Sequence, residues 1–132
     1  MVITFNESAN IARCLDSVKN IADEILVVDS YSTDDTVAIS ESKGARILKH
    51  PFEGYIKQRG YAVAKAKFDC ILALDADECI SKELEESILA VKLDWRYDCY
   101  SMNRLNAIGG QWIRYGAWYP DRKMRLFNRQ KA

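Results

Sequence analysis

The chain has 132 residues, 48 % hydrophobic and 29 % charged, which fits one globular domain and excludes a disordered segment. No apolar run approaches the roughly 18 residues of a membrane span, and the opening MVITFNE lacks the basic and apolar stretches of a secretory leader. The net charge is zero but unevenly spread: residues 101–132 hold seven basic residues and one acid, giving +6 there and −6 over residues 1–100. Such asymmetry suits an anionic partner at the basic end, or a solvated face. Zero overall charge and the lack of a groove-reading motif argue against nucleic-acid binding.

In chain order, Val2–Phe5 is a short buried-strand run, and Ile11, Leu15 and Val18 place one apolar face on a helix. Residues 24–28 form a second strand ending at Asp29. Ser32 predicts an N-cap, with Asp35 three residues later, for a helix stopped by Gly44. Residues 45–49 are a third strand. Pro51 breaks the chain, and Ile56–Lys67 reads as a helix. Cys70–Leu74 is a fourth strand running into Asp75-Ala76-Asp77-Glu78. Ser81 caps a last helix carrying Leu84, Ile88 and Val91. Tyr97–Leu105 and Lys123–Phe127 predict further strands, with 108–119 between them as a loop or lid. Apolar strands alternating with helices predict a mostly parallel α/β sheet covered on both faces. The four cysteines, Cys14, Cys70, Cys79 and Cys99, match no zinc or redox spacing and read as reduced thiols of a cytosolic protein.

Ligands of open α/β sheets bind beyond the carboxyl ends of the strands. Three polar clusters occupy such exits: Phe5-Asn6-Glu7, the run from Asp29 to Asp34, and Asp75 to Glu78. Asp75 and Asp77, spaced i and i+2 at an exit, suit a hard cation such as Mg²⁺ or Mn²⁺ that keeps positions open for phosphate. The bland alternative is that they cap the following helix. Asp29, directly after four apolar residues, can accept from a nucleobase N–H. Ser30, Ser32 and Asp34 serve equally well as turn residues. His50, before Pro51, reads as structural.

Together, ITFNE, VVDSYSTDDT, HPFEGYIKQRGYA, ILALDADE and WYPDRKMRLF resemble family 2 glycosyltransferases of the GT-A fold, and within them the lipopolysaccharide-core glucosyltransferase-like subgroup. The resemblance covers nearly the whole chain and implies one nucleotide-sugar-binding domain over 1–132. Residues 1–100 form its donor half, and 101–132 open an acceptor-side half that is incomplete. It implies nucleotide contacts from Thr4, Phe5, Glu7, Asp29, Arg59 and Asp75, with Gln58 nearby, and metal contacts from Asp77 and Asp75. It implies acceptor-side roles for Trp118, Tyr119, Asp121 and Arg122, with Trp112 either stacking on sugars or filling a small satellite core, and Arg125 meeting acceptor phosphates. The implied partners are a nucleotide-diphosphate sugar, UDP favoured, a saccharide or lipid-linked acceptor, and peripheral contact with the inner face of a membrane. An inverting transferase needs a general base. The family places it after the strand matched by Met124–Phe127, and no acid follows Asp121, so the base is expected beyond Ala132. Two other readings stay open. A non-catalytic nucleotide-sugar-binding module is one. A nucleotidyltransferase is the other, though it would want a Gly-rich basic loop where FNESAN stands.

Overall fold

The computed structural model describes residues 1–116 and 119–131. The elements are β1 (Val2–Thr4), α1 (Ile11–Val18), β2 (Leu26–Asp29), α2 (Thr36–Ser42), β3 (Arg46–Lys49), α3 (Tyr55–Lys65), β4 (Cys70–Leu72), β5 (Leu74–Asp75), α4 (Lys82–Leu93), β6 (Cys99–Arg104), β7 (Asn106–Ile108), β8 (Gln111–Ile113) and β9 (Asp121–Asn128). Four strands form a parallel sheet in the order β3-β2-β1-β5, and β4-β9-β6 form a second, antiparallel sheet.

Period-two alternation divides the apolar strands between two cores. Val2, Val27 and Leu74 face α1 and α4 in a cluster with Ile11, Cys14, Leu15, Val18 and Ile88. Ile3, Leu26 and Val28 face the other way, onto Ala62 of α3. Helices therefore cover both faces, as the unbroken apolar runs predict. Leu126 of β9 joins the first cluster, so the antiparallel sheet closes onto the same core. Each fully buried Leu or Ile contributes about 1.5–3 kcal/mol, and that burial sets the strand ends where they are.

Three expectations are corrected. The fourth strand, 70–74, is two strands. Cys70–Leu72 pairs antiparallel with β9, whereas Leu74–Asp75 pairs parallel with β1. Ala73 is the crossing point, and its N–H donates to the Arg125 carbonyl at 2.8 Å. An apolar run satisfies either sheet, so composition did not reveal the switch. Ser32 caps no helix. α2 starts at Thr36 after Asp35, and the Ser32 hydroxyl turns back to Asp29. The expected loop or lid at 108–119 holds one side of a hairpin, β7 against β8. Ser81, by contrast, caps α4 as expected, accepting from the Leu84 N–H at 3.2 Å.

Candidate active site

The carboxyl ends of β1, β2 and β5 open onto a cleft of about 540 Å³, lined by Ile3, Thr4, Phe5, Glu7, Ser30, Phe52, Tyr55, Gln58, Asp75, Ala76 and Asp77. A second cavity of about 380 Å³ is lined largely by apolar side chains such as Met1, Ile25, Leu72 and Leu126, and contains none of the exit acids. The chemistry therefore belongs to the first. Of the residues expected at the nucleotide, Thr4, Phe5, Glu7 and Asp75 line the cleft together. Thr4 is buried, and its Oγ1 has no partner among the described residues. Phe5 is 57 % exposed, a ring that the core leaves free to stack.

The loops beneath the cleft are tied by side chains. Asp29 is fully buried. It accepts from the Ser32 N–H at 2.9 Å and from the Ser32 hydroxyl at 2.5 Å. Both of its oxygens are thus engaged within its own loop. Asn6 and Tyr31 sit at φ 51° and 63°, a region that Asn tolerates better than most residues. The Asn6 side chain repays that by accepting from the Thr33 N–H at 2.8 Å. Asp34 accepts from the Thr36 hydroxyl and N–H and from the Ser8 N–H. Led by the Thr36 hydroxyl, these bonds lower its pKa to about 2. Gln58 is buried. It meets His50 Nδ1 at 2.9 Å and donates to Ser30 Oγ at 3.0 Å, while His50 stacks on Tyr61. His50 has the structural contacts expected of it.

The acidic exit is a tight turn. The Glu78 N–H donates to the Asp75 carbonyl at 3.0 Å, and the Asp75 N–H donates to Glu78 Oε2 at 3.0 Å. Ser81 supplies the α4 cap, so Asp75 and Asp77 are not needed for it. Asp75 accepts from Arg59 at 2.7 and 2.9 Å and from Arg125 at 3.1 Å. Burial alone would raise its pKa, but the Arg59 hydrogen bond and the charges of Arg125 and Arg59 outweigh it and hold the carboxyl below its usual value. Glu78 accepts from Arg125 at 2.5 Å and meets Arg104 at 3.6 Å. Asp77 differs. It is exposed at the cleft wall, and among the described residues its carboxylate makes no hydrogen bond or ion pair.

Among the described residues, no three acids, histidines or cysteines are grouped to hold a metal alone. A Mg²⁺ or Mn²⁺ needs no such cage. It is typically bound by one or two carboxylates, with phosphates and waters completing the shell. The unpaired Asp77 carboxylate beside an open cleft fits that kind of site.

Of the residues expected on the acceptor side, Asp121 opens β9 opposite Arg104. It meets Arg104 at 2.7 Å and Lys123 at 3.0 Å. The Lys123 hydrogen bond, against some desolvation and with help from Arg104, lowers its pKa. Arg122 is exposed and Tyr119 half-buried, whereas Trp118 lies outside the described residues. Trp112 is 58 % exposed on β8, so it does not fill a core. Arg125, expected to meet acceptor phosphates, is 5 % exposed and turned onto Asp75 and Glu78. Its burial, and the parts played by Glu78 and Arg104, escaped the sequence reading. The available signal was alternation, which puts Asp121, Lys123 and Arg125 on one face of a strand.

The glycosyl transferase family 2 model matches residues 1–131. The chain belongs to that family. An uncharacterized glycosyltransferase of Rickettsia felis is 50 % identical over 99 residues, covering 75 % of this chain and 35 % of the relative. One from Rickettsia prowazekii is 40 % identical over 126 residues, covering 96 % and 41 %. The lipopolysaccharide core biosynthesis glycosyltransferase LpsC of Rhizobium meliloti is 34 % identical over 90 residues, covering 64 % and 33 %. The chain thus spans about a third to two fifths of the length of these relatives. Among solved structures, glucosyl-3-phosphoglycerate synthase of Mycobacterium tuberculosis, in complex with Mn²⁺, UDP and glucosyl-3-phosphoglycerate, superposes with a TM-score of 0.52. Its identity is 28 %, over 57 % of this chain and 31 % of that one. The UDP complex of the same enzyme reaches a TM-score of 0.62 at 24 % identity over 77 % and 41 %, a likeness of fold. The mostly parallel sheet with helices on both faces is the GT-A fold.

Proposed function

We propose that this family 2 chain is the donor-binding part of an inverting, metal-dependent glycosyltransferase. Its donor is a nucleotide-diphosphate sugar, UDP favoured, and its acceptor a saccharide or lipid-linked saccharide of the bacterial cell envelope. One observation carries the reading: within an acidic turn whose other carboxylates are bound by arginines, Asp77 alone faces the cleft without a cation among the described residues. Thr4, Phe5 and Glu7 offer a wall for the nucleoside. A divalent cation held by Asp77 and by the donor's own oxygens would offset the negative charge on the departing diphosphate. Asp75, with both oxygens on arginines, is the weaker metal ligand of the two and fits better as an anchor or a ribose acceptor. Arg59 holds Asp75 through Nη2 alone, so its remaining N–H groups can meet a phosphate without breaking that pair. Asp29 is fully buried, so it reaches a base only if its loop moves, although its oxygens keep lone pairs beyond the two Ser32 bonds.

The attacking hydroxyl must lose a proton. Asp121 is poorly suited to take it, because two cations hold it and depress its basicity. We place the base in the part of the relatives' length that this chain does not span. Arg114 and Arg122, exposed as Trp112 and Tyr115 are, suit an anionic acceptor or membrane surface.

The test is calorimetric titration of UDP, ADP and GDP, each with and without Mn²⁺, on the wild type and on Asp77→Ala. The expected result is Mn²⁺-dependent binding of UDP that weakens at least tenfold in Asp77→Ala. Binding that ignores both the metal and the substitution overturns the reading.

A further inference from the structure

Arg125 sits at an irregularity in β9. Tyr100 pairs with Leu126 and Ser101 with Met124, so Arg125 is the extra residue of a β-bulge. Alternation with Asp121 and Lys123 points Arg125 inward, and the bulge lets the next residue, Leu126, be buried beside it. The Arg125 carbonyl accepts from Ala73 at 2.8 Å, where the chain passes from β4 to β5. Its Nη2 donates to Asp75 Oδ2 at 3.1 Å and to Glu78 Oε1 at 2.5 Å. These are the first and last residues of the turn that carries Asp77. Glu78 Oε2 meanwhile accepts from the Asp75 N–H. One guanidinium therefore closes a ring around the turn, in which the Asp77 carboxylate takes no part among the described residues. The ring leaves Arg125 Nη1 buried without an acceptor among the described residues, a cost that pure packing would not incur.

We propose that Arg125 is a positioning residue for the donor site. It neutralises Asp75 and Glu78 and fixes the turn between them, so that Asp77 alone is presented to the cation. The proposal rests on the donor-site reading above, but its charge consequence is separable. Without Arg125 the turn gains one uncompensated negative charge. That charge attracts a bare cation and repels a diphosphate, so the two affinities move in opposite directions. General structural damage weakens both.

The experiment compares wild type, Arg125→Met and Arg125→Lys. It measures Mn²⁺ binding without nucleotide by electron paramagnetic resonance, Mn²⁺-dependent UDP binding by calorimetry, and thermal melting. Arg125→Met is expected to bind Mn²⁺ several-fold more tightly and Mn²⁺-UDP about tenfold more weakly. Arg125→Lys keeps the charge and is expected to restore the Mn²⁺ titration while recovering UDP binding in part. Both titrations unchanged in Arg125→Met, or both weakened in step with melting, overturns the proposal. If Arg125→Met does not melt cooperatively, the charge-balanced Arg125→Met/Glu78→Gln pair replaces it. There Mn²⁺ binding should match wild type while Mn²⁺-UDP binding still falls, and wild-type UDP binding would overturn the assignment. A wild type that binds Mn²⁺ but no nucleotide would sink the donor-site reading instead, leaving the bare-cation comparison to judge Arg125.

Discussion

The parallel sheet and the β6–β9 pair are held by different physics. Around β1 and β2, burial is apolar: Val2, Leu26, Val27 and Val28 are at most 2 % exposed. Around β9, the inward groups are largely ionic. Arg59, Asp75, Arg125, Glu78, Arg104, Asp121 and Lys123 form one run of alternating charge from α3 through the acidic turn to β6 and β9. The first region sets where the strands end. The second sets which acids at those ends remain free. A buried ion pair is a poor source of net stability but is strongly destabilising when halved, so the two regions should respond differently to substitution.

The largest effect should come from halving the ionic run. Glu78→Ala leaves the buried Arg125 with Asp75 as its remaining acid and should cost roughly 3 kcal/mol or more of unfolding free energy, read by urea denaturation. Leu15→Ala opens the apolar core and should cost about 2–5 kcal/mol. The two are distinguished by chemistry: Glu78→Gln keeps the shape but removes the charge and should retain most of the Glu78→Ala deficit, whereas the volume-conserving Leu15→Met should recover most of the Leu15→Ala one. If Glu78→Gln is as stable as wild type, the contrast between the regions fails. Ser81→Ala removes the α4 cap and should cost about 1 kcal/mol, seen as a small drop in the urea midpoint at constant slope.

The smallest effect is confined to acid. Asp34 has its pKa lowered to about 2 from an ordinary value of 3.8, chiefly by the Thr36 hydroxyl. Its folded pKa lies below the unfolded one. Its stabilisation is therefore complete above about pH 4 and is lost as the pH falls toward 2. Asp34→Asn should flatten the stability profile in that window and leave it parallel to wild type from pH 5 to 7. Asp75, also held low, adds to the same acid limb. A wild-type profile that gains stability below pH 4 would contradict both assignments.

Much of residues 1–100 was legible from residue order. Ile11, Leu15 and Val18 pack where their spacing puts them, and Ser81 caps the helix it precedes. The strand exits gather Thr4, Phe5, Glu7, Asp75 and Asp77 at one cleft. These are local properties: a buried parallel strand must be apolar throughout, and a polar residue that follows it must lie at the sheet's edge. What residue order did not convey was pairing. Cys70–Leu74 reads as one apolar strand because nothing local records that its two ends join different sheets. Ser32 carries the residue type of a cap, but a fully buried Asp29 three residues earlier takes its hydroxyl. Arg125 reads as a surface cation until strand pairing brings its face onto two acids 47 and 50 residues earlier. The sequence by itself determined the strands, the apolar faces and the positions of the exit acids, because those follow from period and burial. Only the tertiary structure decided which of those acids is neutralised and which stays free, because charge pairing depends on distances that the chain closes across its whole length.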